Sequence, residues 1–103
     1  MLEPAIRIGT AGWAISARTA DSFPGEGSGL ERYASSFDCA EINSSFHRPH
    51  RPATWQRWAE SVPDDFLFSA KLPREITHTR RLADFEAPLA RVLAEMAGLG
   101  DRL

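Results

Sequence analysis

Charged and amide side chains stand at the ends of the second and third of three short apolar stretches. Glu41 and Asn43 close the second stretch, at about residues 38–43, and Lys71 closes the third, at about residues 66–71. A carboxylate can act as a general base, an amide can orient a substrate oxygen, and an ammonium can hold an anion or form a Schiff base. His78 follows Lys71 and is a candidate for proton transfer, because the ordinary pKa of histidine lies near neutrality. Glu41, Lys71 and His78 are therefore the candidate catalytic residues, and whether the chain is an enzyme stays open.

A structural role is the alternative for the same charged residues. An Arg7–Glu41 or Lys71–Glu41 ion pair would satisfy the interior of a barrel without any catalytic purpose. The residue types alone do not choose between the two interpretations.

A glycine-rich turn with a tryptophan follows the first apolar stretch. Thr10, Gly12 and Trp13 stand there, and glycine lets the backbone approach a ligand closely. An indole can stack on a sugar or a base. We predict ligand-binding roles for these three residues and for Asn43, with a lid over the core as the alternative for Trp13.

Phe46 and Arg48 follow the second stretch and complete the predicted ligand-binding set. The planar guanidinium of Arg48 suits a phosphate or a carboxylate, whereas a solvated surface position is its structural alternative. His47 and His50 are three residues apart, but Pro49 excludes a helix between them and no third ligand follows at a zinc spacing. The sequence therefore predicts no metal site, and it leaves any cofactor unknown.

The elements that must position these residues alternate along the chain. Strands are predicted at about residues 5–10, 38–43 and 66–71, and a loop is predicted over Leu72 to Arg81. Apolar residues at helical spacing follow each strand, and they form three stripes: Leu30, Tyr33, Ala34 and Phe37; Trp55, Trp58, Ala59 and Val62; and Leu82, Phe85, Leu89, Val92, Leu93 and Met96. Ser28 is a predicted N-cap, Pro63 a predicted stop, and Gly98 and Gly100 a second stop. This order indicates an α/β protein with a parallel sheet.

The two faces of the predicted strands differ in polarity. Ala40 and Ile42 share one face of the second strand, and Glu41 and Asn43 share the other. A barrel covers only its outer face with helices and keeps polar groups at its mouth, at the carboxyl ends of the strands. The pattern therefore predicts a partial TIM-type (β/α) barrel of about three parallel β-α units. Residues 1–103 are then the N-terminal part of a single incomplete barrel domain.

Three ordered motifs at the strand ends carry a family resemblance. They are Ile6-Arg7-Ile8-Gly9-Thr10-Ala11-Gly12-Trp13, Ala40-Glu41-Ile42-Asn43-Ser44-Ser45-Phe46, and Phe68-Ser69-Ala70-Lys71-Leu72-Pro73 with Ile76-Thr77-His78. Together they resemble the YecE-like family, also known as domain of unknown function 72. Its members look like TIM-type barrels with the motifs Gly-Thr-Ser-Gly-Trp, Glu-Ile-Asn-x-Thr-Phe-Tyr and Lys-x-Pro-x-x-Ile-Thr-His. The chain departs from this pattern in the proposed mouth, at Ala11, Ala14, Ile15, Ser45 and His47. The resemblance implies an architecture and candidate positions, without a substrate.

Composition limits the partners. Twelve Lys and Arg against fourteen Asp and Glu give a net charge of −2, so the strong positive field of a nucleic-acid-binding surface is absent. Apolar runs are far shorter than the ~20 residues of a membrane span, and the single Cys39 fits a reducing, cytoplasmic location. The leading hypothesis is a small polar or anionic ligand at the barrel mouth. The alternative is a non-catalytic interaction module or truncated remnant that forms a homo-oligomer through its exposed strand edges.

Overall fold

Strands and helices alternate through residues 6–103, which are the residues that the computed structural model describes. Strands β1, β2 and β3 span Thr10–Ala11, Cys39–Ile42 and Leu67–Ala70, and helices α1, α2 and α3 span Gly29–Ala34, Pro52–Glu60 and Glu86–Met96. Shorter 3-10 segments cover Ala20–Ser22, Ser44–Phe46 and Ala97–Arg102, and a π-helix covers Glu75–Thr79. Within this described part of the chain, no helix combines the length and the apolar character needed to cross a membrane.

The three strands form one parallel sheet in the order β1-β2-β3. Ala40 pairs with Thr10 on one side and with Phe68 on the other. The α/β class with three parallel β-α units is confirmed, because each strand is followed by a helix and each pair of neighbouring strands runs parallel.

The helices cover one face of this sheet. Ala40, Ile42 and Phe68 are at most 4% exposed and pack against residues of all three helices. Glu41 and Ser69, which alternate with them along the strands, are exposed on the opposite face. A sheet with helices on its outer face only is the arrangement of a partial TIM-type barrel, so the predicted difference between the two faces is also confirmed.

The first strand is shorter than predicted and lies later in the chain. A strand was expected at about residues 5–10, but residues 6–9 are not in a strand, and residue 5 lies outside the described range. Ile6 and Ile8 are 92% and 75% exposed, so their alternation does not bury a face. Instead of a backbone ladder, the Arg7 guanidinium donates to the carbonyl oxygens of Asp38 and Asp65, 3.1 and 2.6 Å away.

The third helix also starts later than its apolar stripe suggested. Leu82 was expected to open that stripe, but it is 62% exposed and α3 begins at Glu86. Arg81, Leu82 and Asp84 have φ angles of 52°, 65° and 48°, which are left-handed conformations that a right-handed helix cannot contain. The predicted loop over 72–81 likewise contains the π-helix Glu75–Thr79. Local backbone conformation therefore overrides side-chain periodicity in this segment.

The other two predicted stripes extend beyond their helices. Phe37 follows α1 and Val62 follows α2, yet both pack with the core. Predicted Ser28 is the N-cap of α1, where its hydroxyl accepts from the Glu31 amide and the Glu31 carboxylate accepts from the Ser28 amide. This reciprocal capping box defines the start of a helix only six residues long.

Candidate functional site

A cation and an imidazole meet on one aromatic ring at the carboxyl ends of β2 and β3. Lys71 Nζ lies 4.2 Å from the centroid of the Phe46 ring, and the His78 ring approaches the same ring edge-on at 5.1 Å. Phe46 is half-buried, whereas Lys71 and His78 are exposed. We call Phe46, Lys71 and His78 the mouth cluster. The sequence predicted each of these residues separately, and the structure brings all three together.

Ser45 joins the two segments that carry the cluster. Its side chain is buried, with the hydroxyl 2.7 Å from the carbonyl oxygen of Lys71 and 3.2 Å from that of Ile42. The Lys71 amide also donates to the Ile42 carbonyl over 2.9 Å. The end of β3 is thereby fixed next to Phe46.

The π-helix after β3 brings His78 back toward Phe46. Ile76, which is 1% exposed, holds this π-helix against the core. The Thr77 hydroxyl lies 2.8 Å from His78 Nδ1, which leaves Nε2 as the ring nitrogen without a partner among the described residues. The imidazole can therefore donate to or accept from a bound molecule through Nε2.

Glu41 and Asn43 lie at the same end of β2 but outside the mouth cluster. Glu41 faces an open depression of about 410 Å³ on the helix-free face of the sheet, which Thr10 and Ser69 also line. Asn43 is half-buried directly after the strand. The two ion pairs considered for Glu41 are absent from the described residues, and Arg7 instead lies 3.4 Å from Asp38. The carboxylate of Glu41 is thus exposed beside the depression.

Thr10 and Gly12 shape the turn after β1. The Thr10 hydroxyl donates to the Gly12 carbonyl over 2.6 Å, and the Gly12 amide donates to the Glu41 carbonyl over 2.8 Å. Gly12 has a φ of 77°, a left-handed value that glycine adopts without steric cost. The Tyr33 hydroxyl accepts from the Thr10 amide and donates to the Cys39 carbonyl, both over 2.8 Å. These contacts fix β1 beside β2.

Trp13 and Arg48 are not members of the mouth cluster. The Trp13 ring packs edge-on against Trp58 and Phe68, with centroids 5.3 and 5.8 Å apart. Phe68 belongs to the helix-covered face of the sheet, so these are the contacts of a lid over the core. Arg48 is exposed and lines a separate cavity beside α3.

His50 makes a contact that the sequence did not reveal. Its Nε2 lies 2.8 Å from the Ser44 hydroxyl, and its ring packs edge-on against Trp55 and Trp58. Burial lowers the pKa of His50, the charge of Arg48 lowers it further, and Glu95 opposes both effects. His50 had been considered only as a metal ligand. No group of three His, Cys, Asp or Glu suited to a metal occurs in the described range.

The geometry of the mouth cluster suits an anion or a polar ring. An ammonium and an imidazole supply hydrogen-bond donors, and the exposed part of Phe46 supplies a face for stacking. These groups converge at the strand ends, where barrels of this kind bind their ligands.

Curated relatives match part of the chain. The UPF0759 protein YecE of Escherichia coli K12 is 34% identical over 74 residues, which are 72% of this chain and 27% of that protein. YecE of Escherichia coli O157:H7 gives the same values. The chain thus spans about a quarter of the length of the curated relatives it matches.

Solved structures show the same fold. Two crystal structures of a DUF72 family protein from Enterococcus faecalis V583 superpose with TM-scores of 0.72 and 0.64, at 24% and 21% identity. They cover 92% and 90% of this chain and 35% and 34% of their own chains. At this level of identity the likeness concerns the fold alone.

The family assignment follows from the sequence as a whole. The model of the family described as "Protein of unknown function DUF72" matches residues 7–103, which include every residue of the mouth cluster. The chain therefore belongs to the DUF72 family.

Proposed function

We propose that this protein binds a small polar or anionic ligand at the mouth of a TIM-type barrel, on the surface formed by Phe46, Lys71 and His78. The observation that carries the proposal is the convergence of Lys71 and His78 on the Phe46 ring, at 4.2 and 5.1 Å. The ammonium supplies charge, the imidazole supplies a proton donor or acceptor, and the ring supplies an apolar surface.

Neighbouring polar groups extend this surface. Glu41 lies on the polar side of β2 and Asn43 directly follows this strand, while Lys71 directly follows the neighbouring strand β3. They provide a carboxylate and an amide for the hydroxyl or amino groups of a ligand. Catalytic roles for Glu41, Lys71 and His78 stay predictions, since binding is the step that the geometry supports.

Thermal unfolding with defined probes tests the proposal. Inorganic phosphate, malonate, glucose 6-phosphate and glucose are added separately, because a bound ligand raises the apparent Tm. We expect at least one probe to raise the Tm of the unsubstituted protein. In Lys71→Met its affinity should fall roughly 10-fold to 100-fold, since a hydrogen bond to a charged group contributes about 1.5–3 kcal/mol.

Glu41→Gln should weaken binding of the polar probes with little effect on unfolding in their absence. Arg57→Met is the matched control, because Arg57 is exposed on α2 and its guanidinium has no polar partner in residues 6–103. If Lys71→Met responds to every probe as the unsubstituted protein does, the proposal is wrong.

A second candidate function is self-assembly through strand edges. β1 and β3 each have one neighbour in the three-stranded sheet. Ile6 and Ile8, which precede β1, are 92% and 75% exposed. Apolar β-branched side chains beside an edge strand favour pairing with another copy of the chain.

A further inference from the structure

A second cavity lies beside the mouth cluster. It has a volume of about 150 Å³ and lies between the segment after β2, the segment after β3 and helix α3. Each of these three elements contributes an arginine to its lining: Arg48, Arg74 and Arg91. We call this cavity the arginine pocket.

Two of the three arginines are available to bind an anion. Arg91 lies 3.1 Å from Glu75, and Arg80 holds the same carboxylate at 3.2 Å. The side chains of Arg48 and Arg74, in contrast, make no hydrogen bond or ion pair with any residue from 6 to 103. Both residues are exposed, so their guanidinium groups are accessible to a ligand.

The charge balance of the pocket is positive. Its lining contains three guanidinium groups against the carboxylates of Glu75 and Glu95. Glu75 is already paired with Arg80 and Arg91. Glu95 is therefore the remaining carboxylate of the lining that can offset the charges of Arg48 and Arg74. A guanidinium presents a planar fork of donors that matches carboxylate and phosphate oxygens.

The walls and the size of the pocket limit what it can hold. Phe46, Pro49, Pro73 and Val92 supply apolar surface, and Val92 is 3% exposed. A cavity of about 150 Å³ holds one benzene ring, whereas pockets for drug-sized ligands measure about 300–1,000 Å³. The occupant must therefore be small and partly apolar.

We propose that the arginine pocket binds a small carboxylate or phosphate monoester whose body is no larger than about a six-membered ring. The anionic group lies between Arg48 and Arg74, and the apolar body packs on Phe46 and Val92. The mouth cluster is a separate site, since Lys71 and His78 do not line this cavity and only Phe46 belongs to both. This inference therefore stands independently of the proposed function.

Titration with matched probes tests the inference. Benzoate, phenyl phosphate and neutral benzamide are each titrated into the 103-residue chain at pH 7.5, and binding is followed by NMR chemical shifts. We expect benzoate or phenyl phosphate to bind at least 10-fold more tightly than benzamide. Arg48→Gln and Arg74→Gln should each reduce that affinity at least 10-fold, because each removes a charge-assisted contact.

A charge-matched variant defines where the anion binds. Arg18→Gln removes a positive charge from an exposed loop elsewhere and should bind benzoate as the unsubstituted protein does. Thermal unfolding confirms that each variant is folded. The inference is overturned if neither anion binds, if benzamide binds equally well, or if Arg18→Gln loses as much affinity as Arg48→Gln.

Discussion

Ser45 sets the geometry of the mouth cluster through a single buried hydroxyl. Its contact with the Lys71 carbonyl crosses from the segment after β2 to the end of β3, and Phe46 is the next residue in the chain. The motif identified the position, but the long-range partner depends on the register of two strands and does not follow from local sequence.

Lys71, His78 and Phe46 were each predictable from residue type and from their place after a strand. Their meeting on one ring was not predictable, because it depends on the π-helix that returns His78 to Phe46. For Trp13, in contrast, the sequence left the role of the side chain itself open. An indole after a strand suits both a ligand and a core, and only its contacts with Trp58 and Phe68 assign it to the core.

His50 should make stability depend on pH. Burial, and then Arg48, hold its pKa in the folded chain below the ordinary histidine value of about 6.5. As pH falls below about 6.5 the unfolded chain takes up this proton first, so the free energy of unfolding decreases until pH passes the folded pKa. Urea unfolding at pH 7.5, 6.5 and 5.5 measures this loss.

In His50→Gln the free energy of unfolding should decrease less over the same pH range, since glutamine does not titrate. His47→Gln is the control, because His47 is exposed and its replacement leaves the half-buried imidazole of His50 in place. An equal loss in His50→Gln and in the unsubstituted protein would contradict the account.

At the scale of elements, the order of the strands and helices was predictable from the sequence. Alternation and helical spacing predicted three strands and three helices in the right order, because burial of one face produces both patterns. Their ends were less predictable. Periodicity does not report the left-handed residues before α3, which are a local feature, or the contacts of the Arg7 guanidinium with Asp38 and Asp65, which are distant in the sequence.

Gly98→Ala should destabilise the contact between α2 and the segment that follows α3. A Cβ at Gly98 would lie 2.7 Å from the Pro52 carbonyl oxygen and 2.9 Å from the Gln56 amide nitrogen, and neither backbone atom can move freely. We expect the free energy of unfolding, measured in urea, to fall by about 1–3 kcal/mol.

Gly29→Ala is the matched control, because the nearest atom to its added Cβ is 4.0 Å away and the position opens α1. Its stability should be unchanged or up to about 1 kcal/mol higher. If the two alanine variants have the same stability, close packing at Gly98 is not the constraint.

At the scale of the whole molecule, the chain has the helix-covered outer face and the open inner face of a barrel segment. The helix-free face carries Glu41 and the depression next to it, and the strand edges lie on either side. The fold and the family were both predictable, since three motifs in a fixed order coincide with three strand ends. The sequence does not identify a ligand, because an ammonium, an imidazole and an aromatic ring together suit many small anions.

Self-assembly should depend on the apolar segment before β1. Sedimentation of the purified chain should show association that increases with concentration, and Ile6→Lys/Ile8→Lys should shift it to a monomer. Leu82→Lys, which is 62% exposed and outside the sheet, is the control and should associate as before. A monomer at every concentration of the unsubstituted chain would exclude this candidate.

A malonate titration followed by NMR measures directly whether the mouth cluster binds an anion. We expect the chemical shifts of the Lys71 Cε protons and of the Phe46 and His78 ring protons to change together along one saturating curve. In Lys71→Met the malonate affinity obtained from the His78 and Phe46 chemical shifts should fall at least 10-fold. If malonate changes the chemical shifts of residues elsewhere but not those of the Phe46 and His78 ring protons, the mouth cluster is not the anion site.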